Sequence, residues 1–154
     1  RYPLVIAVIA KDYTENNSGL EYIGTPQQQI GDAGMILQIR EKVSGKLVAG
    51  TSKSWKSYVL FQAPLNPSCV TSTNPLADCK SSIKSAPSSW YGTKYVDSKW
   101  LSAIEYAPAQ VGVKDGYNEV QWDSRAKLIW SSSLTQDNTV LFRTTAKAAM
   151  SSRN

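Results

Sequence analysis

The chain of 154 residues contains no histidine. That absence removes the imidazole general base, the Ser-His-Asp and Cys-His catalytic arrangements, and every histidine-ligated metal. There is no Gly-rich phosphate loop of the Walker type and no G-x-G-x-x-G run. The apolar segment Pro3–Ala10, PLVIAVIA, is well short of the roughly 20 residues that cross a bilayer, and no stop-transfer pattern follows it. Membrane insertion is therefore not expected. The 17 Lys and Arg residues exceed the 12 Asp and Glu, giving a net charge of +5, but no basic block or stripe concentrates them. Phosphate binding draws on such concentration, so nucleic acid is not an expected partner.

Cysteine is also scarce. Cys69 and Cys79 stand ten residues apart in NPSCVTSTNPLADCKSS, without a Cys-x-x-Cys motif or a histidine to complete a zinc site. A disulfide closing a local loop is the expectation, and it places the chain in an oxidising, secreted setting, with any signal peptide upstream of this sequence. The triplet Asn16-Asn17-Ser18 is an N-glycosylation sequon in a polar turn, whereas Asn66-Pro67-Ser68 is disqualified by its proline.

A hydrophobic content of 42% with 19% charged residues describes a globular chain. Its length fits one domain, read as residues 1–145, followed by a tail at 146–154 that is a helical turn or a disordered arm. Nearly every apolar run is short, β-branched or aromatic, and bounded by Gly, Pro, Asn, Asp or Ser, which marks an all-β fold. Strands are expected at Leu4–Ala10, Leu20–Ile23, Gly34–Lys42, Lys46–Ser52, Tyr58–Gln62, Ala103–Tyr106, Leu128–Ser131 and Thr139–Thr144. That set predicts a β-sandwich. Ser44-Gly45 makes a hairpin turn, and Met35, Leu37 and Ile39 are expected to face the core. In AKLIWSSSLTQDNTVLFRTT, Ile129 and Trp130 and then Val140 and Phe142 read as the two arms of a hairpin turning over Thr135 to Asn138, with Trp130 in the core. From Pro64 to Pro108 the chain is loop-rich and holds five of the seven prolines, so recognition is sought there.

Catalysis by paired carboxylates stays formally open, since Asp115, Glu119 and Asp123 recur at four-residue spacing. Their turn and strand context gives them no common face, and no enzyme is expected. No cofactor is expected either, although calcium is possible, with Asp32, Asp97, Asp115 and Asp123 as loop carboxylates. Five tryptophans and eight tyrosines stand against two phenylalanines. Side chains with an apolar face and a polar edge suit sugar rings as well as cores. Trp90, Tyr91, Tyr95 and Trp100, all in the insertion, form the candidate ligand-binding set.

Read in order, GDAGMILQIREKVSGKLVAGTSKSWKS, SSWYGTKYVDSKWLSAIEYAP and AKLIWSSSLTQDNTVLFR resemble the galactose-binding-domain-like jelly rolls of extracellular proteins, such as accessory domains of α-L-rhamnosidases. The resemblance rests on Thr51 to Lys56 (T-x-x-x-W-K), on Asp97, Ser98, Trp100 and Ala103, and on Ala126, Ile129, Trp130, Phe142 and Arg143. It implies a jelly-roll sandwich without catalytic residues. The chain departs from that pattern at its start, where the family's earlier strand or strands have no counterpart, and an apolar strand is left with an open edge. Two functions follow as expectations. One is a secreted, non-enzymatic, lectin-like module binding a glycan, a glycoprotein or another extracellular surface. The other is a structural subunit of an extracellular filament or appendage that forms a homo-polymer by strand addition at the N-terminal edge.

Overall fold

In a computed structural model, residues 2–114 and 116–147 are described. Their strands are β1 (Leu4–Lys11), β2 (Leu20–Glu21), β3 (Gln29–Ile30), β4 (Gln38–Arg40), β5 (Leu47–Gly50), β6 (Lys56–Gln62), β7 (Ser82–Ile83), β8 (Leu101–Ser102), β9 (Ile104–Tyr106), β10 (Leu128–Trp130) and β11 (Asp137–Ala146). A 3-10 helix at Pro67–Thr71 and two single-turn helices, α1 (Pro75–Asp78) and α2 (Pro108–Val111), interrupt them. Each of these helical turns begins with proline, whose fixed φ suits a first helical position and whose missing N–H would have no partner there. The protein is all-β.

The principal sheet runs β1-β11-β6-β7, with β8 also paired to β6. Strand β1 begins directly after Pro3, which has no N–H to give a ladder, and pairs antiparallel with β11 from Leu4↔Ala146 to Lys11↔Thr139 without a register shift. Its alternation sends Ile6, Val8 and Ala10 to the main core and Ala7 to the opposite face. The second layer holds the β9-β10 pair, the β4-β5 hairpin and a bridge from Met35 to Ile129. Thr51 stitches these together: its N–H donates to Leu37 O at 3.0 Å, and its carbonyl accepts from Lys127 N–H at 2.8 Å.

Between the layers lie Ile6, Val140 and Phe142 from one side and Trp55, Ala103, Ile129 and Trp130 from the other. Met35, Leu37 and Ile39 pack against this cluster, as their alternation predicts. Both central indoles keep their N–H satisfied. Trp55 Nε1 donates to Gly50 O at 2.9 Å, and Trp130 Nε1 donates to Asp137 O at 2.8 Å.

The hairpin expected over residues 126–145 is corrected by the pairing. Strand β10 pairs with β9, while β11 pairs with β1 and β6, so residues 131–136 cross from one layer to the other. Asp137 and Asn138 belong to β11, not to a turn. The crossing is held by the buried carboxylate of Asp137, which accepts Ser131 Oγ–H at 2.7 Å, Ser133 N–H at 3.2 Å and Gln62 Nε2–H at 2.6 Å. Apolar alternation is the same in a hairpin and in a crossover, so it could not separate them. The expected strands at Gly34–Lys42 and Lys46–Ser52 shorten to β4 and β5, and Leu20–Ile23 shortens to β2, whose partner β3 lies in a glutamine run that shows no alternation. Ala146, the first residue of the expected tail, is the last of β11; residues 148–154 lie outside those described.

Candidate functional site

The outer face of the principal sheet is not bare. The segment following Pro87 folds across it and inserts Trp90 and Trp100 against Leu141, with Ala7, Tyr58, Leu60 and Tyr95 packed around them. Trp100 has its ring centroid 5.2 Å from Tyr58 and 6.3 Å from Trp90. Trp100 Nε1 donates to Tyr95 Oη at 3.3 Å. Trp90 and Trp100 are therefore buried, and neither presents an open ring face for a sugar to stack on. Trp90, sought outside the core with Tyr91, is thus inside it: the sheet has a second apolar face, formed by Leu141, Tyr58 and Leu60, and the rings of Trp90 and Trp100 fill it. Tyr95 is half-buried, and of the four candidate ligand residues Tyr91 alone is well exposed, at 67%.

The segment is fastened by Arg143, which projects from β11 on that same face and is 2% exposed. Its Nε donates to Asp97 Oδ2 at 2.9 Å, and its terminal nitrogens donate to the carbonyls of Trp90, Gly92 (3.3 Å) and Tyr95 (3.5 Å). The guanidinium carbon stands 5.3 Å from the Tyr95 ring centroid. Asp97 is thereby the counter-ion of a buried arginine. Asp123 is likewise engaged by Arg125 at 2.8 Å and Arg40 at 3.4 Å, and hydrogen bonding from Arg125 holds its carboxyl well below the usual range. Asp115 lies outside the described residues, which leaves the Asp115, Glu119 and Asp123 spacing without a structural reading. Among the described residues no group of three or more Cys, Asp or Glu side chains is placed to hold a metal ion.

Three other places carry chemistry. At the end of β1, Asp12 Oδ1 accepts Tyr13 N–H at 3.0 Å, while Oδ2 is buried without a partner. Burial, then the Glu21 carboxylate, with Asp32 adding to them, raise the Asp12 carboxyl from 3.8 to about 6, against the pull of the Tyr13 N–H and Lys114. Gly31 closes this corner, because a Cβ there would collide with Asp12 Oδ2 and stand 3.0 Å from Glu21 Oε1.

A cleft of about 350 Å³ opens where β6 loses its outer partners. Strand β8 covers Lys56 and Ser57, and β7 covers Phe61 and Gln62, with Lys84 N–H donating to Leu60 O at 2.7 Å. Ala103 N–H donates to Trp55 O, so Trp55, then Ser57, then Val59 aim their main-chain groups outward, and Val59 aims them into the gap.

At the opposite edge, β1 has β11 on one side and no strand on the other among the described residues. Asp12 N–H donates to Asn138 O at 2.8 Å, so even-numbered residues of β1 turn their main-chain groups toward β11. Val5, Ala7, Ile9 and Lys11 turn theirs to solvent. Leu4 and Ile9 are 38% and 51% exposed along this edge.

Away from these sites, Cys69 and Cys79 are joined, with Cα atoms 5.4 Å apart, and pack with Leu20, Ile23, Ile30 and Val70 in a small core of their own. Asn16 is half-buried, its Oδ1 accepting Ser18 N–H at 2.8 Å at the head of the turn that leads to β2. No helix among the described residues is long and apolar enough to cross a membrane. No protein-family model, curated protein or solved structure matches the chain.

Proposed function

We propose that the protein is a non-enzymatic structural module of an oxidising, extracellular setting that associates with further copies of itself through the free edge of β1. The observation that supports it is that edge: eight residues long, continuous in register and apolar but for Lys11. Soluble proteins blunt such edges with proline, a bulge, an inward charge or a covering element. From Leu4 to Ala10 β1 has no proline and no charge, and its ladder with β11 has no bulge. The disulfide and the sequon accord with the extracellular setting. The antiparallel layers accord with the jelly roll that the sequence resembles.

Self-pairing has a preferred register. An antiparallel partner keeps its side chains on matching faces only when paired residue numbers share parity. Centring the pair on Val8 sets Val5 against Lys11 and Ala7 against Ile9 of the other copy, forming about eight main-chain hydrogen bonds from the outward groups. At about 1 kcal/mol net each, these about 8 kcal/mol are set against at least about 4 kcal/mol of lost freedom, so the main-chain bonds alone give a pair in the millimolar range. Such twofold pairing uses up the edge and gives a closed dimer. The filament expected from the sequence needs a second contact, and the opposite edge, broken between β7 and β8, offers no continuous strand for it.

Sedimentation velocity across that concentration range tests the reading. The expected result is a dimer that Ile9→Lys abolishes and that Val8→Cys traps as a disulfide-linked pair. A monomer at the highest concentration, with no trapped pair, overturns it.

A further inference from the structure

The cleft at the β6 edge is independent of β1. Its lining includes two lysines, Lys84 and Lys99, four serines, Gln62 and no carboxylate. Both lysines are exposed and are the only charged residues of the lining, so the mouth of the cleft favours an anion, while the carboxylate behind its floor, Asp137, is engaged by Ser131, Ser133 and Gln62. Its floor is also held in place from behind. The buried Asp137 accepts Ser131 Oγ–H at 2.7 Å and Gln62 Nε2–H at 2.6 Å, which orients the Gln62 side chain and leaves its carbonyl as an acceptor. Val59 adds a main-chain donor and acceptor on the floor, and Leu101 and Ile104 give an apolar wall.

The gap is too short for an added strand, since only Val59 offers outward main-chain groups between β8 and β7. What fits is a small ligand with several hydroxyls, an apolar C–H face and an acid group. The geometry points to an acidic saccharide, carrying a carboxylate or a sulfate, bound in this cleft with Lys84 and Lys99 on the acid group and Gln62, Ser102 and Ser132 on ring hydroxyls. This differs from an aromatic platform: Trp100 lines the cleft but is buried, so recognition rests on charge and hydrogen bonds.

Trigalacturonic acid, a sulfated disaccharide and neutral maltotriose are the probes, titrated by calorimetry and by amide shifts in 15N spectra. The expected result is binding of one or both acidic probes, at least about ten-fold tighter than maltotriose, with shifts at Val59, Gln62 and Ser131. Which acidic probe binds identifies the acid group. The double variant K84A/K99A should lose at least about ten-fold in affinity, while K42A/K53A, which removes the same charge elsewhere on the surface, should lose less than about three-fold. Equal losses in the two variants, equal binding of triglutamate, or no shifts at those residues with either acidic probe would each overturn the assignment. All four lysines lie outside the buried core, and the 15N spectra of the free variants establish that they fold.

Discussion

Replacing Asp12 by asparagine should make the protein more stable at neutral pH. The aspartate directly follows β1, with one oxygen on Tyr13 N–H and the other buried, unpartnered, and near Glu21 and Asp32. Its carboxyl is raised from 3.8 to about 6, which means that the folded state holds the proton more tightly than the unfolded chain does. The contribution to stability is therefore largest below about pH 4, falls as pH rises toward 6, and stays low above it. A rise of about two units corresponds to about 3 kcal/mol, and because Asp12 is only half-buried, solvent screening reduces this to about 1–2 kcal/mol. Asparagine keeps the acceptor for Tyr13 N–H, places an amide donor where the unpartnered oxygen was, and cannot ionise. Lys114 loses its attraction to the carboxylate, which subtracts from the gain. Urea denaturation at pH 4.5 and pH 7 measures both effects. The variant should exceed the parent by about 1–2 kcal/mol at pH 7 and by much less at pH 4.5. A variant that is less stable at pH 7, or that keeps the parent's pH dependence between these values, would refute the reasoning.

Arg143→Met should cost about 3 kcal/mol and free the segment following Pro87, because it strands the carbonyls of Trp90 and Gly92 and the carboxylate of Asp97; loss of near-ultraviolet dichroism from Trp90 and Trp100 reports it. Arg143→Lys should restore little, since one ammonium cannot span four acceptors. Reducing the Cys69–Cys79 bond should cost about 3 kcal/mol by the loop-closure relation, read as a lower urea midpoint, and an unchanged midpoint would count against it. Gly19→Ala should cost at least about 2 kcal/mol, since Gly19 sits at φ 78° and its new Cβ would strike the Ala63 carbonyl oxygen; thermal melts compare it with Gly45→Ala, also at positive φ but with open space around it.

The strands were legible from short β-branched runs between turn residues, and one core face from the period of two in Met35, Leu37 and Ile39; the uniformly apolar run of β1 shows no such period, so its sending of Ile6, Val8 and Ala10 inward was not legible. The loop-closing disulfide was legible from composition and spacing. Pairing partners were not. Strand β10 carries the apolar pattern of a hairpin arm but finds β9, and the residue that decides this, Asp137, reads in sequence as one more polar turn residue. The burial of Trp90 and Trp100 was hidden for a related reason. An aromatic-rich loop looks the same in sequence whether it faces solvent or folds onto a sheet, and the apolar outer face that captures Trp90 and Trp100 exists only once β6 and β11 are side by side. A signal was present in Arg143, an arginine directly after the apolar run Val140, Leu141 and Phe142, which needs acceptors that an overlying segment supplies. The cleft at Val59 depends on where β7 and β8 stop and had no trace in sequence.

Arg143 holds its segment mainly by main-chain carbonyls, those of Trp90, Gly92 and Tyr95. Carbonyls belong to every residue, so the fastening reads the path of the chain and is indifferent to most side chains along it. Tyr91, Thr93, Lys94 and Val96 are exposed and supply none of the acceptors. These four positions can change together without loosening the loop, which makes this part of the surface free to acquire new specificities while the sheet beneath it stays as it is.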